Sequence, residues 1–518
     1  MLISLTLLAA FYSYSFAAQK KDDKNQEEMR AMEIEKAIFI ASAAQDRVLR
    51  IGLVDCVAYA LKNNSEVKIE RIEPKLRDAD IKIAQAVFEP SFAADFAMRE
   101  NKELVTSSLQ GAGANTYGFH DTTLDASVGG KLATGAEYEL EFFSQRYKSS
   151  STFQALNPYY AAEPKITITQ PLFRGAGIFV NRADITIARN NKRVSEEAFK
   201  DKVMDVISQA KTAYYNYAYS LESHALTAVS LERAQDLLKI NKARYEKGLL
   251  SSVDLLETET AVADREKALL SAEAGLRKAE DDLKLITSLV DDPEAWNAKV
   301  ELIGEKPQFK EEKKDLVESL KSAFVMRPDY NSRKVDLKNR DIRIATAKNA
   351  LFPTLDLVSS FGLNGLGKDY QKALQNAEYP YTDWSAGFKL EIPWGGGERA
   401  SFDQRNLEKA QALLSFKRLE QQIILEIRDR VRAVQIQARQ VAVSSLAMGK
   451  ESQNYAAQKE RYAAGQVSTH DMIDYQEKLS SAELDYLKSL IDYNIALINL
   501  DRSEGATLVK NDVKLEEG

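Results

Sequence analysis

An eleven-residue pattern that occurs twice, 217 positions apart, limits what this chain can fold into. The two copies are Arg244-Tyr245-x-x-Gly248-x-x-Ser251-x-x-Asp254 and Arg461-Tyr462-x-x-Gly465-x-x-Ser468-x-x-Asp471. Glycine adopts the left-handed conformation that ends a helix, and serine followed three residues later by an acidic residue is typical of the start of the next helix. Because residues 172–292 and 394–518 contain no proline, each copy predicts a tight turn between two long antiparallel helices.

The repeated pattern belongs to a larger duplication. The segment 60–66, followed by Phe88-Glu89-Pro90, matches the segment 323–329, followed by Phe352-Pro353, at an offset of 263. From Arg182 and Arg399 onward the offset is 217, so the middle of the first copy is 46 residues longer. We therefore divide the chain into a first repeat at 51–290, a linker at 291–314, a second repeat at 315–505 and a tail at 506–518.

The middle of each repeat has the alternation of β-strands. Apolar residues alternate with other residues in six segments, as in Phe92, Ala94, Phe96 and Met98. These segments predict four strands within 91–173 and two within 354–392. A single apolar face suits a half-buried soluble sheet or a membrane barrel with a wet interior. Long polar loops at 99–121, 149–163 and 364–381, set against the short turn Ala133-Thr134-Gly135, favour the barrel.

The remaining segments carry coiled-coil spacing. Leu269, Ala272, Leu276, Ala279, Leu283 and Ile286 follow one another at steps of 3, 4, 3, 4 and 3 residues, which predicts a packed seam. Helical hairpins are expected at 178–289 and 398–504. A continuous helix from Ile178 to Lys247 would be on the order of 100 Å long at ~1.5 Å per residue. Because the faces away from the seam are charged, we expect these helices to stand in water and not to cross a membrane.

The N-terminus predicts export. The apolar run from Leu2 to Phe11 is too short to span a bilayer, and Ser15-Phe16-Ala17 has the small residues of a cleavage site. We therefore interpret residues 1–17 as a signal peptide. Residues 18–50 form a charged lead-in to which the sequence assigns no role.

Composition excludes several classes of function. The net charge of −7 argues against a nucleic-acid partner. One cysteine rules out an internal disulfide framework, and three widely separated histidines give no metal cluster. We find no nucleophile–base pair and no cofactor-binding loop. The sequence therefore predicts no catalytic residues, no metal, no cofactor and no enzyme activity.

Three motifs at the boundaries of these elements carry a family resemblance. Residues 58–65, Ala-Tyr-Ala-Leu-Lys-Asn-Asn-Ser, look like the Ala-Leu-x-x-Asn-Pro entry motif of the TolC family of outer membrane efflux proteins, with Ser65 in place of the proline. Residues 170–177, Gln-Pro-Leu-Phe-Arg-Gly-Ala-Gly, and 392–397, Ile-Pro-Trp-Gly-Gly-Gly, resemble that family's passages from the last strand into the long helix. Pro171, Gly175, Pro393 and Gly396 are the candidate transition residues.

The resemblance implies a mainly α fold with transmembrane β-structure. It implies a homotrimer whose strands pool into one outer-membrane β-barrel in contact with lipid, continued by an α-helical periplasmic tunnel. A periplasmic adaptor and an inner-membrane pump or ABC transporter would dock at the helical tips and supply the energy, so the duct itself is passive. Family members contribute four strands per chain, whereas the alternation here suggests six. We favour four, with the additional alternating segment as an extracellular hairpin, and keep six as the alternative.

The resemblance also assigns roles at the turns. Asp471 and Asp474 match the aspartates of the family's constricting ring, and their i, i+3 spacing places them on one helix face. Asp254 matches an aspartate that latches the closed state, and Tyr462 matches the tyrosine that pairs with it. Val467 stands where the family latch uses an arginine, so we expect a weaker or differently wired latch. Asp254 and Asp471 have an alternative interpretation as helix caps, and Glu257 is expected to lie on a solvated face.

Two other classes of function remain open at this point. An exported periplasmic coiled-coil scaffold without a pore would explain the helices and the signal peptide, but not the alternating strands. An enzyme on a helical scaffold has no supporting motif. The sequence does not identify the cargo, nor whether the duct serves an efflux system or a type I secretion system.

Overall fold

The computed structural model describes residues 48–105, 116–151, 153–289, 296–304 and 307–515. The predicted signal peptide at 1–17 and almost all of the lead-in at 18–50 lie outside these residues. Parts of the linker at 291–314 and the last residues of the tail also lie outside them.

The described residues form nine strands and twelve α-helices. The strands are β1 (Val48–Ile51), β2 (Ser91–Leu104), β3 (Thr116–Lys131), β4 (Glu137–Ser149), β5 (Tyr159–Pro171), β6 (Lys299–Leu302), β7 (Thr354–Leu363), β8 (Gly365–Gly367) and β9 (Thr382–Glu391). The helices are α1 (Leu53–Asn63), α2 (Ser65–Glu70), α3 (Glu73–Gln85), α4 (Ile178–Asn181), α5 (Ala183–Glu246), α6 (Ser252–Ile286), α7 (Leu316–Met326), α8 (Pro328–Ala350), α9 (Tyr370–Gln375), α10 (Gly397–Ala463), α11 (Thr469–Ser503) and α12 (Thr507–Lys510).

The duplication is visible in the bounds of these elements. Helix α7 begins and ends 263 positions after α1, and α11 begins and ends 217 positions after α6. The long helices α5 and α10 end 217 positions apart. The sequence offsets therefore mark repeated elements, and the longer middle of the first repeat is occupied by its two additional strands.

The described residues divide into two compact units, and each unit contains segments of both repeats. The sheet unit comprises Ile72–Glu197 and Tyr330–Leu419. The helical unit comprises residues 48–71, Ala198–Asp329 and residues 420–515. The long strands belong to the sheet unit, whereas the turns with the repeated pattern belong to the helical unit.

In the sheet unit, six long strands form one antiparallel sheet in the order β2-β3-β4-β5-β7-β9, and the three-residue β8 also pairs with β5. The favoured count of four strands is therefore wrong for the described residues. Strand β3 pairs with β4 from Phe119 opposite Ser149 to Lys131 opposite Glu137. Because this ladder is continuous, the β2–β3 hairpin is part of the sheet and not a separate extracellular hairpin.

The pairing register separates apolar from polar side chains. One row of directly paired residues crosses all six strands and is entirely apolar: Phe92, Val128, Leu140, Ile166, Phe361 and Trp384. A row on the opposite face contains no large apolar side chain: Ser91, Gly129, Glu139, Thr167, Ser360 and Ser385. Side chains of the apolar row remain exposed in this chain, from 37% for Val128 to 72% for Phe92. The sheet thus presents an uncovered apolar face and a polar face.

The predicted transition residues lie where strands give way to helices. Pro171 ends β5, and Pro393 follows β9 by two residues. The Gly175 amide donates to Asn349 Oδ1 at 2.8 Å, and the Gly396 carbonyl accepts the first-turn bond from Ala400 at 2.9 Å. An ion pair of 2.8 Å between Arg174 and Glu398 connects the two passages, one from each repeat.

In the helical unit, a buried cluster joins β1 and α1 to the long helices. Strands β1 and β6 pair in parallel, and Val203, Ile207 and Leu283 pack in the cluster beside them. The Tyr217 hydroxyl donates to the Val300 carbonyl at 2.7 Å. The buried backbone oxygen is thereby satisfied.

No helix among the described residues is both long enough and apolar enough to cross a bilayer.

Candidate functional site at the helical turns

The two repeated turns close by the same backbone bonds. After α5, the amides of Gly248 and Leu249 donate to the carbonyls of Tyr245 and Arg244 at 2.8 and 2.9 Å. After α10, the corresponding bonds measure 3.1 and 2.9 Å. Both glycines have positive φ, 71° at Gly248 and 75° at Gly465. This is the Schellman ending of a helix, which requires a residue that tolerates the left-handed region.

Both serines of the pattern cap the helix that follows. Ser251 Oγ accepts the Asp254 amide at 3.1 Å, and Ser468 Oγ accepts the Asp471 amide at 3.1 Å. Each aspartate carboxylate accepts the hydroxyl of its own serine, at 2.7 and 2.6 Å respectively. The bond from Ser468 holds the pKa of Asp471 below its ordinary value. The serines are therefore the caps, and each aspartate carboxylate supports the cap through the serine hydroxyl; any further role of these carboxylates stays a prediction.

Arg244 connects the first turn to the end of the second repeat's long helix. One of its guanidinium nitrogens donates to the carbonyls of Tyr462 and Ala463 at 3.0 and 3.3 Å. The guanidinium also lies 4.6 Å from the centre of the Tyr462 ring. A cation at the C-terminal carbonyls of a helix is stabilised by the helix dipole, and its position over an aromatic ring adds to this. The side chain of Arg461, the equivalent residue of the second repeat, instead donates to Gln458 of its own helix at 3.3 Å.

A chain of buried hydrogen bonds joins all four long helices near the turns. Thr258 of α6 accepts from Asn241 of α5 at 2.9 Å. Asn241 Oδ1 accepts from the hydroxyl of Tyr462, in the last turn of α10, and that hydroxyl lies 3.1 Å from Thr469 Oγ1 of α11. These four side chains are at most 4% exposed. We call them the polar junction.

The polar junction corrects one expectation from the family resemblance. Tyr462 was expected to pair with Asp254, but its hydroxyl bonds Asn241 and Thr469. The tyrosine is buried in a cluster with Leu237 and Met472, whereas the Asp254 carboxylate is held at its exposed helix cap. Val467, at the position of the family's latch arginine, packs against this cluster. The contact between the two turns thus depends on buried amide, hydroxyl and apolar groups.

A further bond between the two repeats, in addition to those of Arg244 and the polar junction, lies on the surface of the turns. His470 Nδ1 is 2.5 Å from Glu257 Oε1. Glu257 thus lies on a partly solvated face, as expected, and its carboxylate also bonds His470. The hydrogen bond to Glu257, together with the charge of that carboxylate, raises the pKa of His470 above its ordinary value. Asp471 and Asp474 add to this effect in the same direction.

The two candidate constriction residues each have a partner within the chain. Asp471 bonds Ser468, as described above, and Asp474 forms an ion pair of 2.7 Å with Lys478, one turn further along α11. The Asp474 side chain is 49% exposed. Tyr245, a further residue of the repeated pattern, is 44% exposed. Among the members of the pattern, Arg244 and Tyr462 are the residues that join the two repeats directly.

Polar pairs continue between α5 and α11 beyond the turns. Arg233 forms two parallel bonds with Glu483, at 2.8 and 2.9 Å, and its carbonyl accepts from Gln476 at 3.1 Å. Ser480 donates to Ser230 at 2.8 Å. A two-bond arginine–carboxylate contact with restricted solvent access sets the register of one helix against the other.

Sequence reasoning missed Asn241, Thr258 and Thr469. A signal for Asn241 exists, because Ala234, Leu237 and Asn241 continue the seam spacing of three and four residues, and a polar residue in an apolar seam marks a specific pairing. Thr258 and Thr469 fit the same spacing, but a threonine in a seam does not by itself indicate which side chain it bonds. Their role follows from contacts between distant segments.

In the part of the chain that the structure describes, no group of three or more His, Cys, Asp or Glu side chains is placed to hold a metal ion.

Replacement of Tyr462 by phenylalanine tests the polar junction. The change leaves the buried Asn241 and Thr469 groups with one partner fewer, which costs about 1–3 kcal/mol. Amide hydrogen exchange around Gly465 and at the start of α11 should accelerate accordingly. Tyr245→Phe is the matched control in the first turn, where the side chain is more exposed, and it should leave exchange unchanged. If the amides around Gly465 are equally protected in the Tyr462→Phe and Tyr245→Phe variants, the polar junction does not stabilise the turns.

The His470–Glu257 bond predicts a pH dependence of the turns. The folded pKa of His470 is raised, so its stabilising contribution is fully present below the ordinary histidine pKa of about 6.5. It is lost as pH rises through the raised value. Hydrogen exchange of the turn amides, corrected for intrinsic rates, should therefore show an additional loss of protection as pH rises. His470→Ala should abolish this step; a step that persists in the variant would assign it to another group.

The family described as "Outer membrane efflux protein" matches residues 137–288 and 320–506, which is more than half of the chain. The match begins at the first residue of β4 and includes both helical hairpins. Strands β2 and β3 lie before it.

Individual relatives agree with this match. Outer membrane protein OprJ of Pseudomonas aeruginosa is 23% identical over 319 residues, 60% of this chain and 63% of OprJ. The probable efflux pump outer membrane protein TtgC of Pseudomonas putida is 21% identical over 311 residues, 60% of this chain and 62% of TtgC. The chain thus spans less than two thirds of the length of these relatives.

A solved structure extends the comparison to the fold. The CmeC outer membrane channel of Campylobacter jejuni superposes with a TM-score of 0.63 at 16% identity, over 88% of this chain and 86% of CmeC. The TolC-like fold and the outer-membrane location expected from the sequence motifs are confirmed. The family consists of channel proteins. The chain belongs to the outer membrane efflux protein family.

Proposed function

We propose that this protein is a passive exit duct in the outer membrane, serving a tripartite efflux system or a type I secretion system. The two-faced sheet is the observation that carries the proposal. An apolar row crosses all six long strands on one face, and polar residues occupy the other. Apolar side chains facing lipid and polar side chains facing a lumen are the pattern of outer-membrane barrels. A periplasmic coiled-coil scaffold has no use for this pattern.

The turns form the gate of the proposed duct. The polar junction and Arg244 join the two repeats, so opening the duct requires these buried bonds to break. Breaking buried hydrogen bonds without replacement is costly. An adaptor that contacts the turns, driven by an inner-membrane pump or ABC transporter, supplies that energy. The name of TtgC, an outer membrane component of an efflux pump, supports this type of assembly.

The acidic residues at the start of α11 form the selectivity ring of the proposed duct. In a homotrimer, Asp471 and Asp474 place six carboxylates around the axis. Lys478 offsets part of the charge of Asp474 through its ion pair, so Asp471 contributes more of the field that attracts cations. The protein acts as a conduit without catalytic chemistry, cofactor or metal.

Planar-bilayer recordings test the selectivity ring. The purified protein should conduct with a preference for cations, and the double change Asp471→Asn with Asp474→Asn should lower the cation-to-anion permeability ratio several-fold. Lys478→Ala should shift the ratio in the opposite direction, because it releases Asp474 from its partner. If the cation-to-anion permeability ratio is the same in the unchanged protein and in both variants, Asp471 and Asp474 do not form a selectivity ring.

The same recordings test the duct itself. Stepwise conductance from the purified protein is expected. If the protein extracts with the outer membrane but gives no conductance, even after Tyr462→Phe weakens the closed turns, the scaffold interpretation is the better one.

A further inference from the structure

We infer that β2 and β9, the two edges of the sheet, are the surfaces through which copies of this chain pair, and that three copies close an eighteen-stranded barrel. Each copy contributes the six long strands of its sheet. Such a barrel has six strands more than the twelve implied by the family resemblance. The inference rests on the trimeric duct proposed above, and it concerns the size of the barrel and the identity of its interface.

Both edges of the sheet need a partner. Strand β2 pairs only with β3, and β9 pairs only with β7, among the residues that the structure describes. Almost every residue of the two strands is exposed. An open sheet edge is not tolerated in lipid, because its backbone N–H and C=O groups have no water to bond. Six strands cannot close on themselves, since the smallest outer-membrane barrels have eight.

The geometry of the edges fits another copy of the same chain. Five successive antiparallel pairings lead from β2 to β9, so these two strands run in opposite directions through the sheet. Pairing β2 of one copy with β9 of the next therefore continues the antiparallel order. It also continues both faces, because apolar residues alternate on β2 and β9 in the phase of the sheet. A repeated head-to-tail contact forms a ring when the rotation between copies closes, as it does for three copies around a barrel axis.

The charges of the two edges are complementary in that pairing. When Ser91 is placed opposite Glu391, at the ends of their strands, Arg99 stands opposite Asp383. In the same register, Asp95 is diagonal to Lys389, within the range over which cross-strand charges interact. On the apolar face, Met98 stands opposite Trp384, which are 74% and 70% exposed in the single chain. Pairing β2 with β2, or β9 with β9, would bring together neither Arg99 with Asp383 nor Met98 with Trp384.

The β2–β3 hairpin is the part of the sheet that lies outside the family match, which begins at Glu137. Its strand β3 is nevertheless paired to β4 from Phe119 to Lys131. The hairpin therefore moves the edge of the protomer outward by two strands. Because barrel diameter grows roughly linearly with strand number, a trimer becomes about half again as wide as a twelve-stranded barrel.

Cysteine cross-linking in outer membranes tests the interface. Ala94, Ala126 and Phe142 form one cross-strand row on β2, β3 and β4. Each is changed to cysteine in combination with Ala386→Cys, Phe388→Cys or Leu390→Cys on the same face of β9. The native Cys56 is retained, because it is buried and burial raises the pKa of its thiol to about 12, which keeps it unreactive.

The expected product is a disulfide-linked trimer on non-reducing gels with at least one of the Ala94→Cys combinations. Ala126→Cys, in the middle of the sheet, is the control and should give none. Cross-linking from Phe142→Cys would show that β4 is the edge and that the barrel has twelve strands. A product limited to two chains, or no product from Ala94→Cys in membranes where the protein conducts, would also overturn the inference. Conductance is scored separately, so a cross-linked ring that does not conduct would refute the duct and leave the interface standing.

Discussion

The whole arrangement depends on the pairing register of the six long strands. Side chains alternate between the two faces of a strand, so a slip of one residue in any ladder would move its apolar residues to the polar face. The observed register instead places Phe92, Leu140 and Trp384 in one row with the apolar residues of the other strands. Lipid tolerates neither unpaired backbone groups nor polar side chains on its side. One register must therefore satisfy both the backbone pairing of the six strands and the apolar row that crosses them. The other inferences about the sheet follow from that requirement.

The helical turns show how duplicated elements acquire different tasks. The Schellman endings and serine caps are the same in both repeats, because they depend only on local residues such as Gly248 and Ser251. The contacts between the repeats are not symmetric. Arg244 reaches across to Tyr462, whereas Arg461 stays within its own helix, and Asn241 of the first repeat is matched by Gln458 in the second. As a result of this asymmetry, the contacts made by Arg244 and Asn241 of the first repeat hold the end of the second repeat's long helix.

Local features of this fold could be predicted from the sequence. The turns, the caps and the alternation of apolar residues each depend on residues close together in the chain. The position of the β2–β3 hairpin could not be settled in this way. The alternation of apolar residues predicts six strands per chain, whereas the family resemblance predicts four. The ladder between Phe119 and Ser149 decides the question, and that ladder joins segments that only the folded chain brings together.

The same limit applies at the candidate site. The partner expected for Tyr462 was Asp254, because the family resemblance placed them together, yet Asn241 occupies the buried position within reach of the hydroxyl. Glu257 was expected on a solvated face because nothing near it in the chain suggested His470 as a partner. Sequence patterns identify which elements meet. They do not determine which of several polar side chains on those elements bond when the helices pack.

The most direct measurement is the accessibility of single nitroxide labels placed along β4, from Glu137 to Ser149, in outer-membrane vesicles. Our account predicts alternation with a period of two residues: labels at Leu140 and Phe142 are reached best by oxygen dissolved in lipid, and those at Glu139 and Glu141 by a water-soluble nickel complex. Equal access of the nickel complex to both sets would show that the sheet stands in water, and it would contradict the proposed duct.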